Sequence, residues 1–284
     1  MCGTGCVSAG TSAANLTAEP AAKYFADTDN DAPTAKDFGL RHSVEYFVRS
    51  ITRNPGFSDN ESLVRWNSPI CLLAAGFLPD DTKIVSERLF HIISAVGAPL
   101  AKDNPCKPNF VIVTTAEPNR VMDAWYARDK QLFGDASPLQ IRHFLSSNNG
   151  RPIRVWRNID FGRTSTMRLG HFVPSNSRAE SSPFIWNEVL SFYSIFVIVD
   201  ARLVEHVTLE EIADYVAMTG LSNVDLDADV GSAPTILRLF ASSDRLAGLS
   251  LWDTAFLAAL YQSDQHSRTQ RHDIAERVIL EVLR

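Results

Sequence analysis

Apolar positions recur at helical spacing from residue 38 onward: Leu40, Val44, Phe47, Val48 and Ile51 fall on one face of a 3.6-residue helix. Asn54-Pro55-Gly56 stops the run, so the pattern predicts a first amphipathic helix. Residues 63–66 and 70–75 read as strand material. Asp80-Asp81 offers an N-cap to a helix over 82–96, whose stripe of Ile84, Val85, Leu89, Ile92, Ile93 and Val96 faces one way and which Gly97 ends. Residues 109–115 read as a buried strand. The order strand, helix, strand predicts a packed α/β unit, followed by short helices over 120–128 and 139–145.

Residues 151–192 yield strand candidates at 153–156 and 164–172 and a Ser-rich loop at 175–182, with no assigned role. Residues 195–199 form a β-branched and aromatic run ending in Asp200, the pattern of a central strand. Beyond it the chain turns helical. Thr208 with Glu211 makes a capping box for a helix to Leu221, and Ser250 with Asp253 makes a similar signature for one through Tyr261. Further helices are expected over 233–240 and 269–283. The expected fold class is mixed α/β (α+β): a sheet-bearing N-terminal half over 37–200, then a mainly α-helical half over 201–284, in one globular domain without repeats. Residues 1–36 are rich in Ala, Thr, Ser, Asp and Pro without apolar period, and read as a tether.

Composition narrows the function classes. With 284 residues and 45% hydrophobic content, the chain can bury a large core. Lys and Arg total 27 against 33 Asp and Glu, and the seven His are scattered. No strongly basic face is expected, so nucleic acid is not the expected partner. The longest uncharged apolar runs fall far below the ~20 residues that span a bilayer. The start, Met1-Cys2-Gly3-Thr4-Gly5-Cys6, shows neither a basic nor an apolar leader region. Two readings follow: a cytoplasmic protein, or one whose leader was replaced by Met, with Cys2 or Cys6 near a former lipoprotein cleavage site and available to a lipid anchor. Two exposed thiols on a tail is the plain alternative.

Cys71 and Cys106 flank elements expected to pair in one sheet. A bridge between them would close a loop of about 35 residues and remove roughly 3 to 4 kcal/mol of unfolded-state freedom, in an oxidising compartment. Two buried free thiols are the alternative.

Complete catalytic signatures are missing: no Walker loop, no G-x-G-x-x-G after a strand, no G-x-S-x-G elbow and no H-E-x-x-H. Zinc peptidases set two His four apart on a helix with a Glu beside the first. Laid over that spacing, Ala213 and Ala217 take the His positions, Asp214 the Glu position and Gly220 the turn. The plain reading is an amphipathic helix with Ile212, Val216 and Leu221 in the core. No metal or other cofactor is expected. Asp225, Asp227 and Asp229 alternate like the start of an EF-hand loop, but Val230 and Ile236 stand where Gly and Glu belong. The match fails there, and an exposed acidic loop capping the next helix is the preferred reading over a calcium site. Asp27, Asp29 and Asp31 lie in the tether. His91 and His171 read as structural, His266 and His272 as solvated, and the five Trp as dispersed core or groove anchors.

One resemblance rests on the order of several short pieces. These are Arg65-Trp66 leading to Pro69-Ile70-Cys71, Gly97 at a helix end, Cys106-x-Pro108-Asn109 before a strand, Val199-Asp200, the run from Ile212 to Met218, and Leu249 to Asp253 leading to Tyr261. In that order they resemble a proteobacterial family of exported proteins and lipoproteins to which no activity is assigned. The resemblance covers residues 60–284. It implies a periplasmic or cell-envelope location, an α/β body with a distant zincin-like (degenerate metallopeptidase) relationship, and other envelope proteins as partners. The expected function is therefore a non-catalytic extracytoplasmic protein acting through protein contacts. The alternatives are a hydrolase, either a degenerate peptidase or an enzyme of envelope polymers with Asp214, Asp225 or Asp227 at its cleft, and a structural subunit of a larger assembly.

Overall fold

A computed structural model describes residues 35–52, 62–103, 105–128, 130–134, 136–147, 150–160, 190–241 and 245–284. Cys2, Cys6, the Asp27, Asp29 and Asp31 series, His171, Trp186, the strand expected over 164–172 and the loop at 175–182 lie outside the described residues.

The first helix, α1 (Ala35–Ile51), buries Val44, Phe47, Val48 and Ile51, as its periodicity predicts. Strands β1 (Arg65–Trp66) and β2 (Leu72–Ala75) precede α2 (Pro79–Ala95). In α2, Asp80 and Asp81 do not cap. Pro79 opens the helix after Leu78, which makes no side-chain cap, and the two carboxylates sit in the first turn where they complement the helix dipole. Gly97 at φ 77° follows its C-terminal end.

Strand β3 (Phe110–Thr115) pairs parallel with β2, and β5 (Ser191–Asp200) pairs parallel with β3 from Phe110↔Ile195 to Thr115↔Asp200. Strand β4 (Ile153–Asp160), twice as long as the run read from the sequence, pairs antiparallel with β5, and β1 continues the sheet beside the start of β5. The fold is mixed α/β with a mostly parallel five-stranded sheet. Period-two alternation divides its faces. Ile195, Val197 and Val199 of β5 enter the main core, whereas Phe196 points to the other side and meets Trp125 of α3 (Pro118–Arg128) at 5.7 Å between ring centres.

That second face is aromatic. Trp156 of β4 lies edge-on to Phe133 in the 3₁₀ turn Lys130–Phe133 and to Phe144 of α4 (Pro138–Ser147). Of the described tryptophans, Trp125 and Trp156 share this face, whereas Trp66 packs on Phe110 and Phe192 and Trp252 on Phe47 in the main core, the anchoring role expected of them. Residues as far apart in sequence as Trp125 and Phe196 make the cluster, so no local pattern announces it.

The helical half comprises α5 (Leu209–Leu221), α6 (Leu251–Gln262) and α7 (Gln270–Val282). Both expected capping boxes form, Thr208 with Glu211 and Ser250 with Asp253. The helix expected over 233–240 is only a 3₁₀ turn, Ile236–Arg238, started by the Thr235 side chain. Hydrogen bonds tie this half to β1 and the residues before it: Trp66 Nε1 donates to Gly220 O at 2.9 Å, Trp66 N donates to Tyr261 Oη at 3.3 Å, and Gln270 Oε1 accepts from Leu63 N at 2.7 Å. One hydrophobic core spans both halves.

Cys71, next to β2, and Cys106, before β3, form a disulfide with Cα atoms 6.0 Å apart. Asn109 fixes the same corner, its Oδ1 accepting from Cys71 N at 2.7 Å and its Nδ2 donating to Pro69 O at 3.0 Å. A 35-residue separation gives a stabilisation of about 4 kcal/mol from loop closure.

Candidate functional site

Helix α5 is buried on every side, from Glu211 to Leu221, and so is not the amphipathic helix its sequence suggests. Ala213 and Ala217, at the positions where a zinc peptidase would place imidazoles, are fully buried among core side chains. Gly220 serves packing: a Cβ there would stand 2.3 Å from Phe110 Cζ. Among the described residues no group of three or more His, Cys, Asp or Glu is arranged to hold a metal ion.

Asp214 is buried on α5 along with Glu211 and Thr219, with 1% of its surface exposed. Its carboxylate takes a two-pronged contact from Arg88 of α2, Nε to Oδ1 at 2.6 Å and Nη2 to Oδ2 at 2.8 Å, and Oδ2 also accepts from Leu249 N at 2.8 Å. Planar guanidinium and carboxylate match in this geometry. The bond to Asp214 holds the Arg88 guanidinium charged, raising it above its ordinary value. Gly248 makes the third contact feasible, since a Cβ there would stand 2.7 Å from Oδ2. Asp214 is thus committed to locking α2, α5 and the start of α6 together.

The other acids are committed differently. Asp253, wholly buried, accepts from Thr235 Oγ1 at 2.6 Å, Ile236 N at 2.8 Å and Ser250 N at 2.9 Å, so one carboxylate caps both α6 and the Ile236–Arg238 turn. Burial pushes this carboxyl up and its donors pull it down, with burial the larger influence. Asp225 and Asp229 each accept from the backbone two residues on, and Asp227 pairs with Arg151. Asp229 also accepts from Tyr46 Oη at 3.4 Å. These are turn-forming roles, and the three carboxylates point to separate partners.

On the outer side of the Arg88 to Asp214 pair lies an open groove of about 820 Å³ between α2, α6 and α7. Its floor is built from small side chains, Ala95 of α2 with Ala255, Ala258 and Ala259 of α6. Leu251 and Leu280 stand at its sides with 52% and 57% of their surface exposed. Arg88, Arg277 and Arg284 supply positive charge, and Glu281, paired with Arg284, supplies the opposing sign. His91, expected to be structural, is an exposed residue of the groove instead. His266 and His272 are exposed away from it.

None of the groove residues stands out in sequence, because α2 contributes from more than 150 positions before α6 and α7. The one local signal is apolar residues on outward faces, notably Leu280, with alanines at 255, 258 and 259. Among the described residues no helix is long and apolar enough to cross a membrane. No family model, curated protein or solved structure matches this chain.

Proposed function

We propose that the chain is a non-catalytic protein of the cell envelope that works through contacts with other proteins, with residues 1–36 as its tether. The observation that carries this reading is the groove between α2, α6 and α7. An alanine floor lets a backbone approach closely, exposed leucines at its sides offer apolar area, and arginines at its rim select against basic partners. Such a surface suits an extended or helical protein segment better than a small substrate, which needs an enclosed site. The Cys71 to Cys106 bond supports an oxidising compartment, and the resemblance to exported proteobacterial proteins points the same way. A lipid on Cys2 or Cys6 would hold the body at a membrane surface.

The hydrolase reading has less support. Asp214 is locked by Arg88 and Leu249, and neither Asp225 nor Asp227 lines the groove, so among the described residues no pair of carboxyls faces a common space there.

A photoreactive residue at Ala258, in the full chain expressed in its native host, tests the reading. The expected result is an adduct to one defined protein species, identified by mass spectrometry, that disappears in the Arg277→Glu variant. An adduct profile unchanged by Arg277→Glu, or no protein adduct at all, would overturn it.

A further inference from the structure

We propose that the partner segment received by the groove between α2, α6 and α7 is an acidic amphipathic helix of about three turns, lying along α6 with a carboxylate at each end. The inference deepens the contact-surface reading above and rests on it.

Charge sets the sign of the partner. The chain as a whole is acidic, with 33 Asp and Glu against 27 Lys and Arg, yet the groove is lined by Arg88, Arg277 and Arg284 against Glu281 alone. Arg284 takes up Glu281. Arg277 Nη1 meets only the Gln262 side-chain oxygen, at 3.4 Å, and has no acid partner among the described residues. Arg88 gives Asp214 two of the five N–H groups of its guanidinium and keeps 38% of its side chain exposed, which leaves donors for a second carboxylate. Two copies of the chain joined groove to groove would set these arginines against their own counterparts, a like-charge contact that speaks for a foreign, acidic partner.

Spacing sets its length. Arg88 stands at the start of α6, because Asp214 Oδ2 accepts from both its Nη2 and Leu249 N. Arg277 stands at the other end, held to Gln262, the last residue of α6. The 12 residues of α6 span about 16 Å, three helical turns. Two acids about eleven positions apart on a partner helix fall on one face and reach both arginines.

The walls set its conformation. All three are helices, whose backbone groups are bonded within themselves, so an extended segment would find no strand edge to pair with and would leave its N–H and C=O groups against alanines. A helix satisfies its own backbone. Ala255, Ala258 and Ala259, three and four positions apart on α6, let it approach closely, and the exposed Leu251 and Leu280 cover its sides.

Fluorescence anisotropy with the purified full-length protein tests the proposal. The probe is a labelled peptide of about four helical turns made of Ala, Leu and Gln, with Glu at two positions about eleven apart and Leu between them. Saturable binding is expected, weakened about tenfold when Lys replaces both Glu, when Pro breaks the centre of the peptide, or when the protein carries Arg277→Glu. The Lys peptide is expected to bind Arg277→Glu better than it binds wild type, a reversal that a merely disturbed fold would not give. No saturable binding, equal binding of the Glu and Lys peptides, or equal binding of the Pro-broken peptide would overturn it. If the Glu peptide fails while the Ala258 photoprobe still finds its protein in the native host, the acidic helix is refuted and the contact surface stands. If the Glu peptide binds and the photoprobe finds no protein, the groove's preference stands and the envelope-partner reading falls.

Discussion

Asp214 of α5 receives both prongs of the Arg88 guanidinium, at 2.6 and 2.8 Å, across the helix pair that covers the sheet. The pair is lopsided: 38% of the Arg88 side chain is exposed but only 1% of Asp214. Removing Arg88 therefore strands a buried carboxylate, whereas removing Asp214 frees an arginine that solvent can take up.

Arg88→Ala is expected to destabilise the fold by about 3 kcal/mol at neutral pH, the low end for breaking a buried pair because Arg88 is partly solvated. Urea unfolding at pH 7.5 checks it, and a loss below about 1 kcal/mol, the scale of an exposed ion pair, would contradict the assignment.

Gly220 and Phe110 provide a packing test. A methyl at position 220 has 2.3 Å to Phe110 Cζ, so Gly220→Ala is expected to cost about 1 to 3 kcal/mol by overpacking. Phe110→Leu should relieve much of it. A double-mutant cycle giving strictly additive losses would show that the two do not touch.

Asp200 sets the acid side of the stability curve. It is buried at the end of β5, and the Arg202 side chain, followed by the Arg202 backbone N–H, holds its carboxyl below the usual range. A depressed carboxyl contributes stability above its unfolded value of about 3.9 and loses it as pH falls through the lower folded value. Asp200→Asn should flatten the loss of stability below pH 4 relative to wild type. Thermal melts between pH 2.5 and 5 would show it, and an unaltered acid limb would argue against it.

Cross-linking stability is separable from packing. Replacing Cys71 and Cys106 together by Ser is expected to lower stability by about 4 kcal/mol, and wild type treated with reductant should match the variant. A variant as stable as oxidised wild type would mean the bond adds nothing.

Much of this was legible because it is local. The helical stripe of α1, both capping boxes and the β-branched core of β5 depend on residues within a turn or a strand of one another, and each appears where the pattern put it. The cysteine pair was legible for a related reason, since it flanks two strands that pair directly. What failed depends on distant neighbours. Helix α5 looks half-polar in sequence through Asp214 and Thr219, yet Arg88 satisfies the first and the Tyr215 carbonyl accepts from the second at 2.9 Å, so it can be buried all round. The helix expected over 233–240 begins only at Ile236, where Asp253, 17 positions further along, captures Ile236 N and Thr235 Oγ1 and sets the start of the turn. The groove is of the same kind, for its walls meet only once α7 has folded back along α6.

The proposed extracytoplasmic location draws its structural support from the bond between Cys71 and Cys106. Non-reducing peptide mapping of the protein from its native host, with thiols blocked at lysis, tests this most directly. The account predicts a single linked peptide pair joining Cys71 to Cys106. Recovery of both as blocked free thiols would contradict it.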